Sequence, residues 1–372
     1  MRTASNAYFP QLLRVISLPE RHEALIEAVN QVWENFLEYV EDLDDLKRER
    51  QKKPPVGKAL ADFSAEEIFA EIEARHDGSR SAPTKSVKQA EFEMLAASAE
   101  EIGNDRPGGD FYARSLPRKH WDQPWMESIG RVVLVHRLRE VTAQVGFTRF
   151  EALAPDVEGE LEMGVQRAAL ARETHWLPAV ENRGEGVFIQ FRTEAIAEWL
   201  NRPGVIARGR QLTNGFDRWR GERRGSRRKF PGLPYVLLHS ISHLLITSVA
   251  LECGYPASSI RERVYALEAG FGILLYTGSP DAEGTLGGLV EAGRRIDRHL
   301  RAALELADLC SNDPVCAQHE PENEQRFLSG AACHGCLLIS ETSCEQFNDF
   351  LDRALVVPTL VDSGAAFFPR VE

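Results

Sequence analysis

The chain has 372 residues, 43% of them apolar and 27% charged, which allows two or three domains and excludes a mainly disordered or collagen-like protein. With 44 Lys and Arg against 56 Asp and Glu, its net charge of −12 argues against a protein that coats nucleic acid with its whole surface. No apolar run is expected to reach the ~18–20 residues that span a bilayer, and the N-terminus lacks the residue order of a signal peptide. We therefore expect a cytoplasmic protein with no membrane partner.

The first region, residues 1–97, is predicted to be helical and acidic. Apolar residues recur at helical spacing within residues 20–50, which predicts one helix there, ended by the prolines that follow. Ser64 and Glu67 have the spacing of a capping box at the start of a second helix. A short third helix is expected over residues 87–97.

The middle region, residues 98–230, is predicted to mix short strands and helices. The β-branched and aromatic content of FYARSL, RVVLVHRL and GVFIQF indicates three strands. Residues 193–200 are expected to form a short helix after the last of these strands.

An arginine-rich segment ends this middle region. Residues 202–229 hold ten basic and two acidic residues, so the segment carries +8 and the rest of the chain −20. Its glycine, arginine and serine content predicts a flexible loop. One interpretation is contact with nucleic-acid phosphates, with Phe216 and Trp219 stacking on bases; the other is a solvated linker or a surface for an acidic partner. The candidate DNA contacts are Arg218, Arg220, Arg223, Arg224, Arg227 and Arg228.

The third region, residues 231–372, opens with a stretch, 233–252, that is apolar nearly all the way round and predicts a core helix. His239 and His243 lie four residues apart, so on a helix their side chains share one face and can chelate a metal together. However, Ser240 stands where the zinc-protease motif has Glu. The favoured interpretation is a pair of core histidines hydrogen-bonded to nearby polar groups.

The next segment, SSIRERVYALEAG, is predicted to form a short amphipathic helix, followed by a buried strand in FGILLYTGS and a long helix from near residue 288. Glycines before that helix make a spot suited to anions, but no Gly-Lys-Ser/Thr is present, which excludes an ATP-binding P-loop. Asp281 and Glu283 are candidates to join His239 and His243 in a second metal site, although acidic turn residues usually only shape the turn.

The cysteines are the strongest chemical signal. Cys253 stands alone, and the other five occupy 35 residues in the pattern Cys-x5-Cys-x16-Cys-x2-Cys-x7-Cys, at Cys310, Cys316, Cys333, Cys336 and Cys344. In a large chain without an export signal, clustered thiols are more typical of a metal site than of disulfides.

Four thiolates around zinc would form a closed, structural site. Cys333, Cys336 and Cys344 are expected to supply three ligands, and Cys316 is favoured over Cys310 for the fourth. Weaker substitutes are His319 and His334. An iron–sulfur cluster, which uses the same residues, and reduced cysteines without a metal stay open as alternatives.

Several motifs together resemble a known family. In chain order, LLHSISHLLI, ECGYPASSIRERVY, LLYTGSPDAEGTLGGLV, CSNDPVC and CHGCLLISETSCEQFNDFLDRALV resemble the DrmB family of DISARM anti-phage systems. Upstream, SNAYFP, EFEML, RVVLVHRLREVTAQVGFTR and RGEGVFI extend the resemblance over nearly the whole chain. The cysteine-bearing part also resembles the C-terminal zinc-binding module of superfamily-2 helicases of the MrfA type.

The resemblance implies a DrmA-like helicase partner that engages DNA together with this chain. The sequence contains no Walker A motif and no helicase Asp-Glu-x-His box, so we expect no ATP hydrolysis by this chain. DrmB proteins usually have a longer N-terminal part before the SNAYFP-like segment, which here begins at residue 5. A separately encoded N-terminal half is therefore a further expected partner.

These observations predict a helix-rich α+β protein with a mixed middle region and a C-terminal, helicase-associated domain that holds zinc in a site of four cysteines. The expected function is that of a non-catalytic, zinc-binding accessory subunit of an anti-phage complex. The alternative is a metal-dependent nuclease or hydrolase that uses His239, His243, Asp281 and Glu283.

Overall fold

The computed structural model describes residues 8–17, 21–61, 63–76, 86–105, 109–149, 168–171, 175–223, 228–254, 256–277, 288–323, 326–361 and 363–370. Within them the chain forms ten α-helices and one antiparallel sheet, which confirms the predicted α+β class. The chain divides into two compact units: Leu18–Ser86, and Met1–Ser17 together with Val87–Glu372. This division differs from the three composition-based regions, since one sheet contains residues from both sides of residue 230.

The unit Leu18–Ser86 is a small helical bundle with its own apolar core. Its helices are α1 (Arg21–Val32), α2 (Leu43–Lys52), α3 (Pro54–Ala59) and α4 (Ala65–His76). The single helix expected over 20–50 is interrupted, because a π-helical turn follows α1 and the Asp42 side chain then caps α2 by accepting from the Asp45 N–H. The capping box is confirmed: each backbone N–H of Ser64 and Glu67 donates to the other's side chain, at 2.8 and 3.1 Å.

The larger unit is built on a seven-stranded antiparallel sheet. Its strands are β1 (Tyr8–Ile16), β2 (Glu101–Gly103), β3 (Tyr112–Ser115), β4 (Ile129–Arg149), β5 (Ala179–Phe191), β6 (Ile260–Leu267) and β7 (Gly270–Thr277). The order is β2-β3-β4-β5-β7-β6, and β1 pairs with the second half of the long β4. The predicted strands in FYARSL, RVVLVHRL, GVFIQF and FGILLYTGS are all present.

Helices cover both faces of this sheet. They are α5 (Val87–Ala96), α6 (Thr193–Leu200), α7 (Pro203–Glu222), α8 (Leu233–Cys253), α9 (Gly288–Arg294) and α10 (Ile296–Asp308). In β5, Val187 and Ile189 point into the core with α8 to α10, whereas Phe188 packs on Phe92 of α5. Alternate residues therefore enter opposite cores, which explains why the central strands are continuously apolar.

Helix α8 lies in the centre of the larger core. Contrary to the expectation that no such run exists, its stretch Leu233–Glu252 is long and apolar enough to cross a membrane. However, 83% of that window is buried inside the protein, which is typical of the core helix of a globular fold.

The segment predicted as an amphipathic helix is the strand β6, so that prediction is wrong. Ile260, Val264 and Leu267 lie three or four residues apart and imitate a helical face, but the strand pairs residue by residue with β7. Its side chains alternate instead: Val264 enters the core with α8, whereas Arg263 turns to the other face and forms a buried ion pair with Glu91 of α5 at 2.7 Å.

The predicted flexible basic loop is also wrong over most of its length. Residues 203–222 form the helix α7, which starts with Pro203 at its first position. Its buried face, which includes Leu212 and Phe216, packs into the main core. The glycines Gly209 and Gly215 lie on the buried face of this helix, where they allow close packing instead of breaking it.

Beyond α10, regular structure ends. The described residues from 309 to 370 form turns and one short 3₁₀ turn, Arg353–Leu355. Many of their apolar side chains, among them Leu337, Phe350 and Leu355, are nevertheless buried in the main core. Without regular backbone hydrogen bonding, a segment of this length needs other interactions to hold its conformation. The five clustered cysteines lie within this segment.

Candidate metal centres

Four of the five clustered cysteines converge on one point. Cys310 and Cys316 belong to the turn that follows α10, and Cys333 and Cys336 to a second turn, so that two loops meet. The Sγ–Sγ distances are 3.3 Å for Cys310–Cys333, 3.7 Å for Cys316–Cys336 and 3.8 Å for Cys333–Cys336. Zn–S bonds of ~2.3 Å at tetrahedral angles place sulfurs about 3.8 Å apart. The spacing therefore fits a tetrahedral zinc site.

A buried salt bridge shapes the first of these loops. The carboxylate of Asp313 accepts hydrogen bonds from the backbone N–H groups of Cys310, at 3.1 Å, and Ala317, at 3.2 Å. It also pairs with the fully buried guanidinium of Arg353, which donates to the Ala307 carbonyl at the end of α10. Asp313 thus closes the turn that brings Cys310 and Cys316 to the same side.

Backbone amides are directed at the sulfurs. The N–H of Gly335 donates to Cys333 Sγ at 3.3 Å, and the N–H of Cys333 donates to Cys336 Sγ at 3.3 Å. Such bonds favour the thiolate form that binds a metal. Gly335 packs closely against the first loop, since a Cβ there would lie 2.5 Å from Ser311 Oγ and 3.3 Å from Cys310 Sγ.

The four thiols shift one another's pKa values, and a bound cation would favour the ionised form of all four. Hydrogen bonding from Cys336, with help from Arg353, lowers the pKa of Cys316 to about 5. The same contact with Cys316 raises the pKa of Cys336 well above its usual value, and burial raises that of Cys310 to about 11. Four neighbouring thiols cannot all ionise unless a positive charge compensates them. The residues present therefore fit Zn²⁺, whose four thiolate bonds leave no open position.

The expected ligand set and the structure differ at Cys344. Cys310 and Cys316 both join the Cys333–Cys336 pair, whereas Cys344 lies in a separate cluster. The chain between Cys336 and Cys344 crosses to the N-terminal half of α8, so closeness in sequence does not mean closeness in space. The two weaker substitutes also lie elsewhere: His319 bonds to the Arg326 carbonyl at 3.1 Å, and His334 is exposed.

The separate cluster joins Cys344 to the histidine pair of α8. Its members are His239, His243, Glu262 and Cys344, all buried, with their ligand-type atoms within 4.8 Å of one another. Glu262 Oε1 lies 2.9 Å from His239 Nε2 and 3.3 Å from His243 Nε2. Cys344 Sγ lies 3.1 Å from His239 Nε2. The histidines are thus hydrogen-bonded core residues, as favoured from the sequence, but within a four-residue constellation.

Opposite charges support one another in this cluster. Burial lowers the pKa of both His239 and His243, but the negative charges of Glu262 and Cys344 have the larger effect. As a result, the pKa of His239 is raised well above its usual value, and the pKa of His243 is raised to about 9. Burial raises the pKa of Glu262, and the two histidines more than reverse this and hold it well below its usual value. The pKa of Cys344, raised by burial, is lowered overall by His239.

Sequence reasoning missed Glu262 because β6 was read as a helix. As a strand, Ile260-x-Glu262-x-Val264 puts one acidic residue on an otherwise apolar, buried face, and that pattern could have revealed it. The acidic residues predicted to join the histidines, Asp281 and Glu283, lie outside the described residues.

The candidate DNA contacts have unequal surroundings. The side chains of Arg218 and Arg220 are 53% and 56% exposed on α7, where Arg220 pairs with Asp217 at 2.9 Å. Arg223 is exposed over the Trp219 ring. Arg228 is mostly buried and pairs with Asp349 at 2.7 Å. Arg224 and Arg227 lie outside the described residues.

The predicted aromatic stacking on bases does not suit Phe216, which is 2% exposed and stacks on Trp219 instead. Trp219 itself is partly exposed at the edge of a groove of about 720 Å³. The groove runs between α7 and the cysteine-bearing loops, and its basic and aromatic lining residues are Arg218, Trp219, Arg223, Arg326 and Phe327.

Comparison with known proteins agrees with the cysteine site. Residues 241–337 match the family model of MZB, the MrfA Zn-binding domain, a range that contains Cys310, Cys316, Cys333 and Cys336. The chain is similar to the DISARM protein DrmB of Bacillus paralicheniformis, at 35% identity over 99% of this chain. It spans 65% of the length of that relative.

A solved structure gives a weaker likeness. The crystal structure of the DUF1998 helicase MrfA bound to DNA matches 61% of this chain and 23% of the helicase, at 13% identity and a TM-score of 0.29. At that score the likeness carries no structural argument. The resemblance to the DrmB family is confirmed by the sequence match over nearly the whole chain and by the zinc-binding domain within it. Zinc is the cofactor of the four-cysteine cluster of this chain.

Proposed function

We propose that this chain is a non-catalytic, zinc-stabilised accessory subunit of a DISARM-like anti-phage defence complex, in which it helps a DrmA-like helicase to engage DNA. The observation that carries the proposal is the 35% identity to a DISARM DrmB protein over 99% of the chain. In this proposal Cys310, Cys316, Cys333 and Cys336 hold the zinc, and the complex is cytoplasmic.

The role of the zinc is structural in this proposal. Four thiolates fill the tetrahedron, so no position is left for a substrate or an attacking water. The zinc ion would connect the loop after α10, which carries Cys310 and Cys316, to the loop that carries Cys333 and Cys336. Because such a site does not exist in the unfolded chain, its binding free energy becomes folding free energy.

The basic face of α7 is the proposed contact with DNA. Arg218 and Arg220 stand exposed there, and guanidinium groups match phosphate oxygens. Trp219 lies at the edge of the groove, but Phe216 stacks on its ring and Arg223 lies over it, so the arginines carry the proposed contact. Arg228 is held by Asp349 and Gln346, at 2.7 Å each, and contributes less.

A salt series on the full chain tests this contact. Binding of a labelled DNA duplex is measured by fluorescence anisotropy from about 50 to about 200 mM salt, where each phosphate contact contributes about 0.9 to the slope of log affinity against log salt. We expect Arg218→Ala/Arg220→Ala to weaken binding and to lower that slope by about 2. The matched control is Arg298→Ala, which removes a 66% exposed arginine from α10.

Three results would contradict the proposal. Equal binding by the double variant and the control would exclude α7 as the DNA contact. Affinity that does not change with salt would exclude phosphate recognition by this chain. Failure of the DrmA-like helicase to co-purify with the full chain would exclude the accessory role.

A further inference from the structure

The cluster of His239, His243, Glu262 and Cys344 is a complete set of metal-ligand side chains outside the four-cysteine site. It takes two residues from α8, one from β6 and one from the loop after Cys336. The family model ends at residue 337, before Cys344, and begins at residue 241, after His239. We propose that these four residues bind a second zinc ion, in a closed site of two nitrogens, one carboxylate oxygen and one sulfur.

The hydrogen bonds of the two imidazoles fix which nitrogen faces the centre. His239 Nδ1 lies 3.2 Å from the Phe350 carbonyl, and His243 Nδ1 lies 2.7 Å from the Leu337 carbonyl. A carbonyl only accepts, so each Nδ1 must donate, and in a neutral ring the Nε2 then carries a lone pair. Histidines that bind metals are oriented by this same kind of second bond.

The other two ligands are also held from behind. Ser242 Oγ donates to Glu262 Oε2, and the N–H of Glu345 donates to Oε1 at 3.1 Å. The N–H groups of Gln346 and Asn348 donate to Cys344 Sγ at 3.3 and 3.2 Å. Two amide donors favour a thiolate over a thiol at this position.

Four potential ligand atoms thus converge in a buried site, where the charges of Glu262 and of a Cys344 thiolate need a compensating positive charge. Two protons would satisfy the charge balance by making both rings imidazolium. That state places two cations with ring centroids 4.5 Å apart at two positions with no solvent exposure. One Zn²⁺ with neutral imidazoles gives the same net charge without this repulsion.

The distances agree with a zinc ion at the centre. Zn–N and Zn–O bonds of ~2.0–2.2 Å and a Zn–S bond of ~2.3 Å place ligand atoms about 3.3–3.6 Å apart in a tetrahedron. The observed separations of 2.9, 3.1 and 3.3 Å lie within a few tenths of an ångström of that range. A mixed nitrogen, oxygen and sulfur set is typical of zinc rather than of magnesium or calcium.

The second ion would explain how the loop after Cys336 keeps its conformation. Phe347, Asn348 and Phe350 all have φ between 54° and 65°, which costs energy for residues with a side chain. Cys344 and the Phe350 carbonyl tie this loop to α8. Leu337, which directly follows Cys336 of the first site, is tied to His243, so the two zinc sites share one segment of chain.

Zinc analysis of the unmodified full chain is the first test, because it does not depend on a variant that folds. Inductively coupled plasma mass spectrometry should find two zinc ions per chain. X-ray absorption should show imidazole scattering and a mean of about 2.5 sulfur ligands per zinc, since one site supplies four sulfurs and the other one. One zinc per chain with a shell of four sulfurs would overturn the proposal.

Variants then assign the second ion to this cluster. Cys344→Ser and Glu262→Gln should each lose one of the two zincs and leave a shell of four sulfurs. The matched control is His299→Gln, which replaces another fully buried histidine on α10 that belongs to neither cluster. Two zincs retained in folded Cys344→Ser would overturn the proposal, and so would loss of zinc from the control. If the two ligand variants do not fold, the sulfur count of the unmodified chain decides.

Discussion

At the scale of single residues, the zinc loops depend on small groups that no ligand pattern reveals. Gly335 lies between two zinc-binding cysteines, and a Cβ there would press on the Ser311 hydroxyl and on Cys310 Sγ. Its backbone N–H is also aimed at Cys333 Sγ. This glycine therefore governs how closely the two loops approach.

The residue-scale prediction is that Gly335→Ala weakens the metal site. A Cβ at 2.5 Å from Ser311 Oγ displaces that hydroxyl and crowds the ligand atom Cys310 Sγ, and overpacking of this kind typically costs about 1–3 kcal/mol. We expect a lower thermal midpoint and faster loss of zinc to a coloured chelator. The matched control is Gly221→Ala, where a Cβ meets nothing within 4 Å. Equal zinc retention in Gly335→Ala and the control would contradict this assignment.

How far the sequence predicts the site also differs residue by residue. The Cys-x2-Cys pair was predictable, because only two residues separate its thiols and local geometry brings them together. Cys344 was not, because its place depends on how α8 and β6 pack, which is a property of the tertiary structure. Glu262 was missed for the same reason, since its role depends on which face of β6 is buried.

At the scale of elements, the apolar pattern predicted α8 and four of the seven strands, but not α7, β6, the short β2, or β1 within the region expected to be helical. The runs in β4, β5 and β7 were recognisable because continuous apolar residues fill two cores at once. In β6, buried ion pairs such as Arg263 with Glu91 replace apolar residues, so the strand looked amphipathic. In α7, Arg208 is likewise buried against Asp352 at 2.7 Å, so a charged residue occupies the buried face of a helix in a segment predicted to be a loop.

The element-scale prediction concerns α8. Leu245 is fully buried on this helix, whereas Leu251 is 73% exposed on the same helix. Leu245→Ala should lower the free energy of unfolding by about 2–5 kcal/mol, because it leaves a cavity in the main core. Leu251→Ala makes the same chemical change at the surface and should alter it by less than about 0.5 kcal/mol.

Urea denaturation of both variants measures this difference. Equal destabilisation by the two substitutions would contradict the placement of α8 in the core. The same experiment separates a core helix from a membrane-spanning one, because a lipid-facing helix would not show such a contrast between its faces in water.

At the scale of the whole molecule, the C-terminal part has almost no regular backbone hydrogen bonding, and we expect bound zinc to contribute strongly to its stability. The described residues beyond α10 form turns, and only one short 3₁₀ turn interrupts them. The apparent binding free energy of a structural zinc, ~10–16 kcal/mol in zinc-finger peptides, is as large as the total stability of a typical domain. We therefore expect the zinc to add to core burial a large part of the free energy that keeps the described residues beyond α10 folded.

Zinc content in a ligand variant tests this central claim most directly. Zinc per chain is measured in the full chain and in Cys333→Ser/Cys336→Ser, both purified without added metal, and hydrogen exchange is followed in residues 309–370. We predict that the double variant contains one zinc fewer per chain and loses protection in those residues. A zinc content equal to that of the unmodified chain would contradict the account.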